Sequence, residues 1–198
     1  MAKFTESDIF EINASYKMLL SNLRDYLKQY NANGEIEYSK IIFNMLHCGI
    51  LSMNGKVHFD NYYDYLALPS QISQGVHVTY GILCCRHATD FLYDLLCILE
   101  FNPTLVFYFV DEELGIWRKV NPGIEKTNHK ALLSSDGTCI IDPANQFILQ
   151  TEENGKVKSL DVEINHDAND YRDPNIEAIG KILKKYYMYR ELGVESVY

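Results

Sequence analysis

The sequence predicts an α+β fold in which a central helix packs on an antiparallel sheet, with further helices at the amino and carboxyl ends. Two observations support this prediction. Apolar residues recur at helical spacing over residues 9–51 and 85–99, whereas β-prone runs separated by turn signals dominate residues 105–160. Strands that cluster after helices, rather than alternating with them, favour α+β over a doubly wound parallel sheet.

Two helices are predicted near the amino end from their caps and apolar stripes. Thr5 or Ser7 can cap a first helix that continues to about Tyr30, after which an Asn-Gly pair stops it. A second apolar stripe predicts a helix over Tyr38–Leu51. A turn and a short strand are then predicted over residues 54–59.

The central helix has a continuous apolar side. It is predicted to run from Cys84 or Cys85 to about Leu99, with Ala, Phe and Leu residues at helical spacing. We therefore expect it to be the most buried helix. A last helix is predicted over residues 173–191, because Asp173-Pro174 is a favourable helix start and apolar residues follow it at helical spacing.

The strands are predicted between these two helices. The run over residues 105–110 is continuous and β-prone, as expected of a buried strand, and a polar loop is predicted over residues 111–127. Residues 129–133 and 138–142 flank a Ser-Ser-Asp-Gly turn and predict a hairpin. A second hairpin is predicted over residues 147–160, around an Asn-Gly pair.

Composition and charge restrict the class of protein. Hydrophobic residues make up 47% of the 198 residues, enough for a single domain over residues 1–198 whose core needs no disulfides. A net charge of −9 argues against nucleic acid and against an anionic membrane surface as partners, since both attract basic patches. No segment approaches the ~20 apolar residues of a spanning helix, and the amino end lacks a signal-peptide core. We therefore expect a cytoplasmic protein.

The five cysteines form neither a metal pattern nor a disulfide pattern. Their number is odd, two are adjacent and none has CxxC spacing, so we expect reduced thiols and no metal. Cys48, Cys97 and Cys139 are expected to be small buried residues. Cys84 and Cys85 differ because they open the central helix.

A thiol, an imidazole and a carboxylate stand where the predicted elements can bring them together. The dipole at a helix start favours a thiolate, the nucleophilic form of Cys85. If Ser135-Asp136 form the hairpin tip, His129 and Asp142 lie directly opposite each other with Cβ atoms ~5 Å apart. A turn shifted by one residue would change this pairing. The central helix, packed on the sheet, can bring the sulfur to the imidazole.

This region contains Gly-x-x-Cys-Cys-Arg-His-Ala at a helix start, Asn128-His129 at a strand start and Asp142-Pro-Ala-Asn at the end of the next strand. Together these three patterns resemble the transglutaminase-like superfamily, whose fold is papain-like. The similarity covers about residues 75–150, and the flanking helices resemble no family. Ala144 stands where a Thr is usual in the family.

The resemblance implies a catalytic triad and a reaction. Cys85 would be the nucleophile, His129 the base and later the acid, and Asp142 the residue that orients His129. Neither thiol of the doubled cysteine matches the family's Gly-x-Cys spacing, so Cys84 is the alternative nucleophile. The reaction implied is acyl transfer from an amide through a thioester, as in peptidases, deamidases and transglutaminases. The expected partner is a peptide or protein substrate, and no cofactor is expected.

Several interpretations stay open at this point. Gln71, Gln74 and Tyr80 are candidates for a second donor to the oxyanion or for the cleft wall. Trp117 is equally a candidate for the cleft wall and for core packing. A non-catalytic domain that binds a peptide or protein partner is the alternative function, and redox chemistry of the Cys84-Cys85 pair ranks below it. The sequence does not decide the acceptor or the oligomeric state.

Overall fold

The protein is described by a computed structural model over residues 4–45 and 85–160, and over residues 182–183, 185–187 and 189–190. These residues belong to two compact units. We call residues 4–23 with the described residues of 182–190 the helical unit, and residues 24–43 and 85–160 the sheet unit. The prediction of one domain over residues 1–198 stays a prediction. The segment predicted over residues 54–59 lies outside the described residues.

Helix α1, Glu6–Lys28, supplies most of the helical unit. Thr5 caps it reciprocally: its Oγ1 accepts a hydrogen bond from the Asp8 amide at 3.2 Å, and its own amide donates to Asp8 Oδ2 at 2.8 Å. The buried side of α1 includes Tyr16, whose ring stacks on Tyr186 with centroids 3.6 Å apart. Tyr186 belongs to the predicted last helix, whose described residues are all helical.

Besides the last five residues of α1, the sheet unit contains two helices and six strands. The helices are α2, Glu35–Met45, except for its last two residues, and α3, Cys85–Ile98. The strands are β1 Thr104–Asp111, β2 Ile116–Lys119, β3 His129–Leu133, β4 Cys139–Asp142, β5 Phe147–Thr151 and β6 Val157–Leu160. A 3-10 turn over Glu153–Gly155 joins the last two strands. Every pairing is antiparallel in the order β2-β1-β3-β4-β5-β6, which confirms the α+β class and both predicted hairpins.

Strand β2 was missed by the sequence analysis, which predicted a loop over residues 111–127. A turn over residues 112–115, ended by Gly115 with a φ of 62°, returns the backbone so that Trp117 pairs with Val110. Only Ile116 and Trp117 in this strand are apolar, so the strand is too short to give a pattern of its own. An isolated bridge between Ile116 and Lys156 links the two ends of the sheet and curls it.

The predicted register of the β3–β4 hairpin was also wrong. Leu132 faces Ile141 and Leu133 faces Ile140, so the same register places Ala131, not His129, opposite Asp142. The connection is longer than a two-residue turn because Gly137 has a φ of 74° and the Thr138 amide donates to the Asp136 side chain. The pairing moves by two residues, and a two-residue shift leaves every side chain on its predicted face.

Strand pairing assigns the side chains of the sheet to two faces. Tyr108, Ala131, Ile140 and Leu149 form a buried cluster on one side, which we call the cavity face. Because Tyr108 is paired with His129, the His129 side chain lies on the cavity face too. The opposite side, the helix face, packs against α3 and carries Lys130.

Helix α3 buries the apolar side that its sequence predicts, including Phe91, Leu92, Leu95 and Leu96. Cys139 is buried, as predicted. Cys97 is exposed, so its prediction was wrong: it lies on the outward side of α3, next to the apolar stripe rather than in it. Among the described residues, no helix combines the length and apolarity that a membrane crossing requires.

Candidate active site

The carboxylate of Asp142, fully buried at the end of β4, is held by four hydrogen bonds. Oδ1 accepts from the backbone amides of Ala144 and Asn145 at 3.1 and 3.4 Å. Oδ2 accepts from the Asn145 side-chain amide at 2.8 Å and lies 2.9 Å from His129 Nε2. The turn after β4 therefore fixes the carboxylate, and one of its oxygens faces the imidazole.

His129 begins β3, and the residue before it anchors this end of the strand. The Asn128 side chain accepts from the Val110 amide at 2.8 Å and donates to the Val110 carbonyl at 2.9 Å, in place of a strand residue. The His129 ring meets Trp117 edge to face, with centroids 5.1 Å apart. Only 13% of the His129 side chain is exposed. The ring is thus fixed by the strand, by Trp117 and by Asp142.

Cys85 lies at the first residue of α3, where its thiol interacts with the His129 side chain and with the backbone amide of Lys130. Because His129 Nε2 faces Asp142, Nδ1 is the ring nitrogen left for the sulfur. The structure therefore brings Cys85, His129 and Asp142 together, and a 2.9 Å hydrogen bond joins the imidazole to the carboxylate. Cys84, Gln71, Gln74 and Tyr80 lie outside the described residues.

The charges in this chain favour a thiolate beside an imidazolium. Burial raises the pKa of the Cys85 thiol, but its hydrogen bond to His129, the imidazolium charge and the Lys130 amide together lower that pKa below its ordinary value. Burial likewise lowers the pKa of His129, but hydrogen bonds to Asp142 and Cys85 outweigh it and raise the pKa to about 10. Both shifts favour the same pair of charges, since each ion stabilises the other.

Lys130 joins α3 to β3. Its backbone amide interacts with the Cys85 thiol, and its carbonyl accepts from Thr89 Oγ1 at 2.9 Å. Its ammonium contacts Asp90 Oδ1 at 2.5 Å, and the side chains of this ion pair are 12% and 16% exposed. Three contacts from one strand residue thus set the position of the first two turns of α3 against β3.

A cavity of about 520 Å³ opens on the cavity face of the sheet unit, beside the imidazole. Among its polar lining residues are His129, Asn145, Asp111 and Glu112. Its other lining residues are mostly apolar and include Val110, Trp117, Phe147, Leu149 and Val157. Trp117 therefore lines the cavity and also packs on Tyr108, with ring centroids 5.4 Å apart, so both of its proposed roles apply.

Sequence reasoning missed three residues that hold the site together: Asn128, Lys130 and Asn145. Asn145 is the last residue of the Asp-Pro-Ala-Asn motif, and an Asx-type turn after Asp142 would have indicated its contact. Asn128 stands within the Asn-His pattern, but a side chain that replaces a strand residue has no sequence signature. Lys130 acts through its backbone, which the sequence does not reveal.

Within the part of the chain that the structure describes, no group of three or more His, Cys, Asp or Glu side chains is placed to hold a metal ion. No family model, no curated protein and no solved structure matches this chain.

Proposed function

We propose that this protein is a cysteine-nucleophile enzyme that transfers an acyl group from an amide through a thioester, with a papain-like, transglutaminase-like arrangement of its site. Cys85 is the nucleophile, His129 the base and acid, and Asp142 the residue that orients His129. One observation supports this above all: the thiol of Cys85 interacts with an imidazole that is hydrogen-bonded to a buried carboxylate.

The first half-reaction forms the thioester. The Cys85 thiolate attacks the carbonyl carbon of the amide, and negative charge moves to the carbonyl oxygen. The carbon–nitrogen bond then breaks, and the Nδ1 proton of His129 passes to the leaving amine. The backbone amide of Cys85, at the start of α3, is the candidate donor to the oxyanion within the described residues.

The second half-reaction releases the acyl group. His129, now neutral, takes a proton from water or from an acceptor amine as that group attacks the thioester carbon. The carbon–sulfur bond breaks and returns the thiolate beside the imidazolium. Asp142 keeps the Nε2 side of the ring bonded throughout, so Nδ1 remains the nitrogen that exchanges the proton. Water gives hydrolysis, and an amine gives transfer.

The test is whether Cys85 accepts an acyl group. We expect p-nitrophenyl acetate to acetylate Cys85 and release p-nitrophenolate at neutral pH, with the adduct located by peptide mass spectrometry. Cys85→Ser should abolish the adduct and the associated release. The matched control is Cys97→Ser, which removes an exposed thiol outside the site and should leave the release unchanged. Release that is equal in wild type and Cys85→Ser would contradict the proposal.

The alternative, a non-catalytic domain that binds a peptide or protein, predicts a different outcome. Such a domain needs no activated thiol, so its cysteines should react according to exposure. Cys97 is exposed as a residue, but partial burial of its thiol raises the pKa of that thiol. The hydrogen bond to Tyr93 lowers this pKa by less than burial raises it. An enzyme should therefore be alkylated by iodoacetamide faster at the less exposed Cys85 than at Cys97. The reverse order would favour the binding domain.

A further inference from the structure

We propose that the cavity beside His129 binds the amine-side portion of the substrate and selects an apolar or aromatic group that carries a positive charge. The inference rests on the proposed function, because it assigns the part of the substrate that leaves with the nitrogen. Three observations support it: the size and lining of the cavity, its place relative to His129 and Cys85, and its charge.

The cavity has the size and lining of a small-molecule or side-chain site. Its volume of about 520 Å³ lies within the ~300–1,000 Å³ typical of ligand pockets. Its apolar lining comes from four strands of the curled sheet, β1, β2, β5 and β6, so the pocket is set by strand pairing. Phe147 is 46% exposed although it is a large apolar residue, which leaves apolar surface for a ligand to cover.

The position of the imidazole assigns the cavity to one side of the scissile bond. His129 lines the cavity, whereas Cys85 is not among the described residues that line it. The acyl carbon must bond to sulfur, and the leaving nitrogen must take its proton from His129. The group attached to that nitrogen therefore extends past the imidazole, toward the cavity face. The group attached to the acyl carbon lies on the sulfur side.

The charge of the lining favours a cation. Asp111 and Glu112 contribute carboxylates, and the described residues of the lining include no Lys or Arg. The other titratable residue of the described lining is His129, whose positive charge interacts with Asp142 and Cys85. Asp111 is held at the end of β1, where its Oδ1 accepts from the Leu114 amide at 3.0 Å. Trp117 adds an aromatic ring, which attracts a nearby cation.

Occupancy of the cavity can be measured without catalysis, because Trp117 is the only tryptophan in the chain and lines the cavity. We expect benzyltrimethylammonium to change the Trp117 fluorescence and to bind at least tenfold more tightly than phenylacetate. The ratio should fall toward one in an Asp111→Asn/Glu112→Gln double variant, in which the new side-chain amide oxygen can still accept from the Leu114 amide. The matched control is Glu100→Gln/Glu152→Gln, which removes two exposed carboxylates away from the cavity.

Assignment to the amine side is tested with two acyl donors that differ only in the leaving group. Acetylthiocholine has a cationic leaving thiol, and S-acetyl-3-mercaptopropanoate an anionic one. In each case the Cys85 thiolate takes the acetyl group and His129 protonates the departing thiolate. Each rate is divided by the rate at which the same donor acetylates N-acetylcysteine. After this correction, we expect acetylthiocholine to acetylate Cys85 at least tenfold faster than S-acetyl-3-mercaptopropanoate. The double variant should lose this preference, and the control should keep it.

The outcomes separate this inference from the proposed function. The cavity assignment is overturned if both donors acetylate Cys85 at equal corrected rates, or if the double variant keeps the preference for acetylthiocholine. Neither of these results contradicts the enzyme proposal. Cation-selective binding at Trp117 without any acetylation of Cys85 overturns the enzyme proposal and the amine-side assignment together. Equal binding of benzyltrimethylammonium and phenylacetate overturns the charge preference directly.

Discussion

Replacing Asp142 by asparagine should uncouple the imidazole of His129 from the Cys85 thiol without changing the size of the side chain. The asparagine Oδ1 can still accept from the amides of Ala144 and Asn145, as the Asp142 Oδ1 does. Its amide group would then face His129 Nε2 and donate to it, so the ring proton would move to Nδ1. In that tautomer Nδ1 cannot accept the proton of Cys85, and the thiolate loses its counterion.

The magnitude follows from the His129 pKa. Its rise from 6.5 to about 10 corresponds to about 5 kcal/mol in favour of the imidazolium, at ~1.36 kcal/mol for each pKa unit. Loss of the Asp142 carboxylate removes part of this preference, so the charged pair becomes less favoured relative to the neutral thiol and imidazole. A thiol that returns to a pKa of ~8.5 or above is at most ~3% ionised at pH 7. Alkylation of Cys85 at pH 7 should therefore slow, by ~30-fold for a wild-type thiol that is fully ionised at this pH.

The assay is the rate of iodoacetamide labelling at Cys85, followed by peptide mass spectrometry from pH 5 to 10. Glu152→Gln is the control for the loss of one carboxylate, since Glu152 is exposed and does not contact the site. Circular dichroism checks that Asp142→Asn is folded. Labelling at the wild-type rate in folded Asp142→Asn would refute the reasoning.

Two further predictions concern buried hydroxyl groups. Thr89→Val removes the 2.9 Å bond to the Lys130 carbonyl, so it should lower the free energy of unfolding by about 1–3 kcal/mol and slow the labelling of Cys85. The control is Thr104→Val, at an exposed strand position, which should change neither quantity. An unchanged labelling rate in Thr89→Val would argue against Lys130 as a positioning residue. Tyr108→Phe removes a buried hydroxyl that has no hydrogen-bond partner among the described residues. Chemical denaturation should therefore show a free energy of unfolding that is higher by about 1 kcal/mol. A lower free energy of unfolding would contradict this account.

Much of the sheet unit could be predicted from the sequence because local patterns there agree with the fold. The apolar stripe of α3 and the two hairpins have unambiguous periods and turn residues, and the observed elements follow them. The pairing of His129 with Asp142 was predicted on a register that was wrong by two residues. The two side chains are nevertheless in contact, because side chains alternate between the faces of a strand with a period of two. A shift of two residues therefore keeps His129 and Asp142 on one face as diagonal neighbours.

The remaining features depend on tertiary contacts that leave no local trace. Strand β2 is too short for a period, and it forms because Gly115 returns the chain onto β1. Cys97 directly follows the buried Leu95 and Leu96 in α3, so its exposure depends only on which side of the helix packs against the sheet. Lys130 interacts with Cys85 through its backbone amide, which any residue type except proline would supply. The cavity results from the curl of the whole sheet, which no single segment specifies.

The imidazolium form of His129 is the central physical claim, and the ring nitrogens report it directly. In a ¹⁵N-histidine NMR spectrum at pH 8, a histidine with the ordinary pKa of ~6.5 is neutral. With a pKa of about 10, His129 should still show both nitrogens protonated at pH 8, in a signal that His129→Gln removes. A neutral His129 ring at pH 8 in the folded wild type would contradict the thiolate–imidazolium pair from which the proposed mechanism starts.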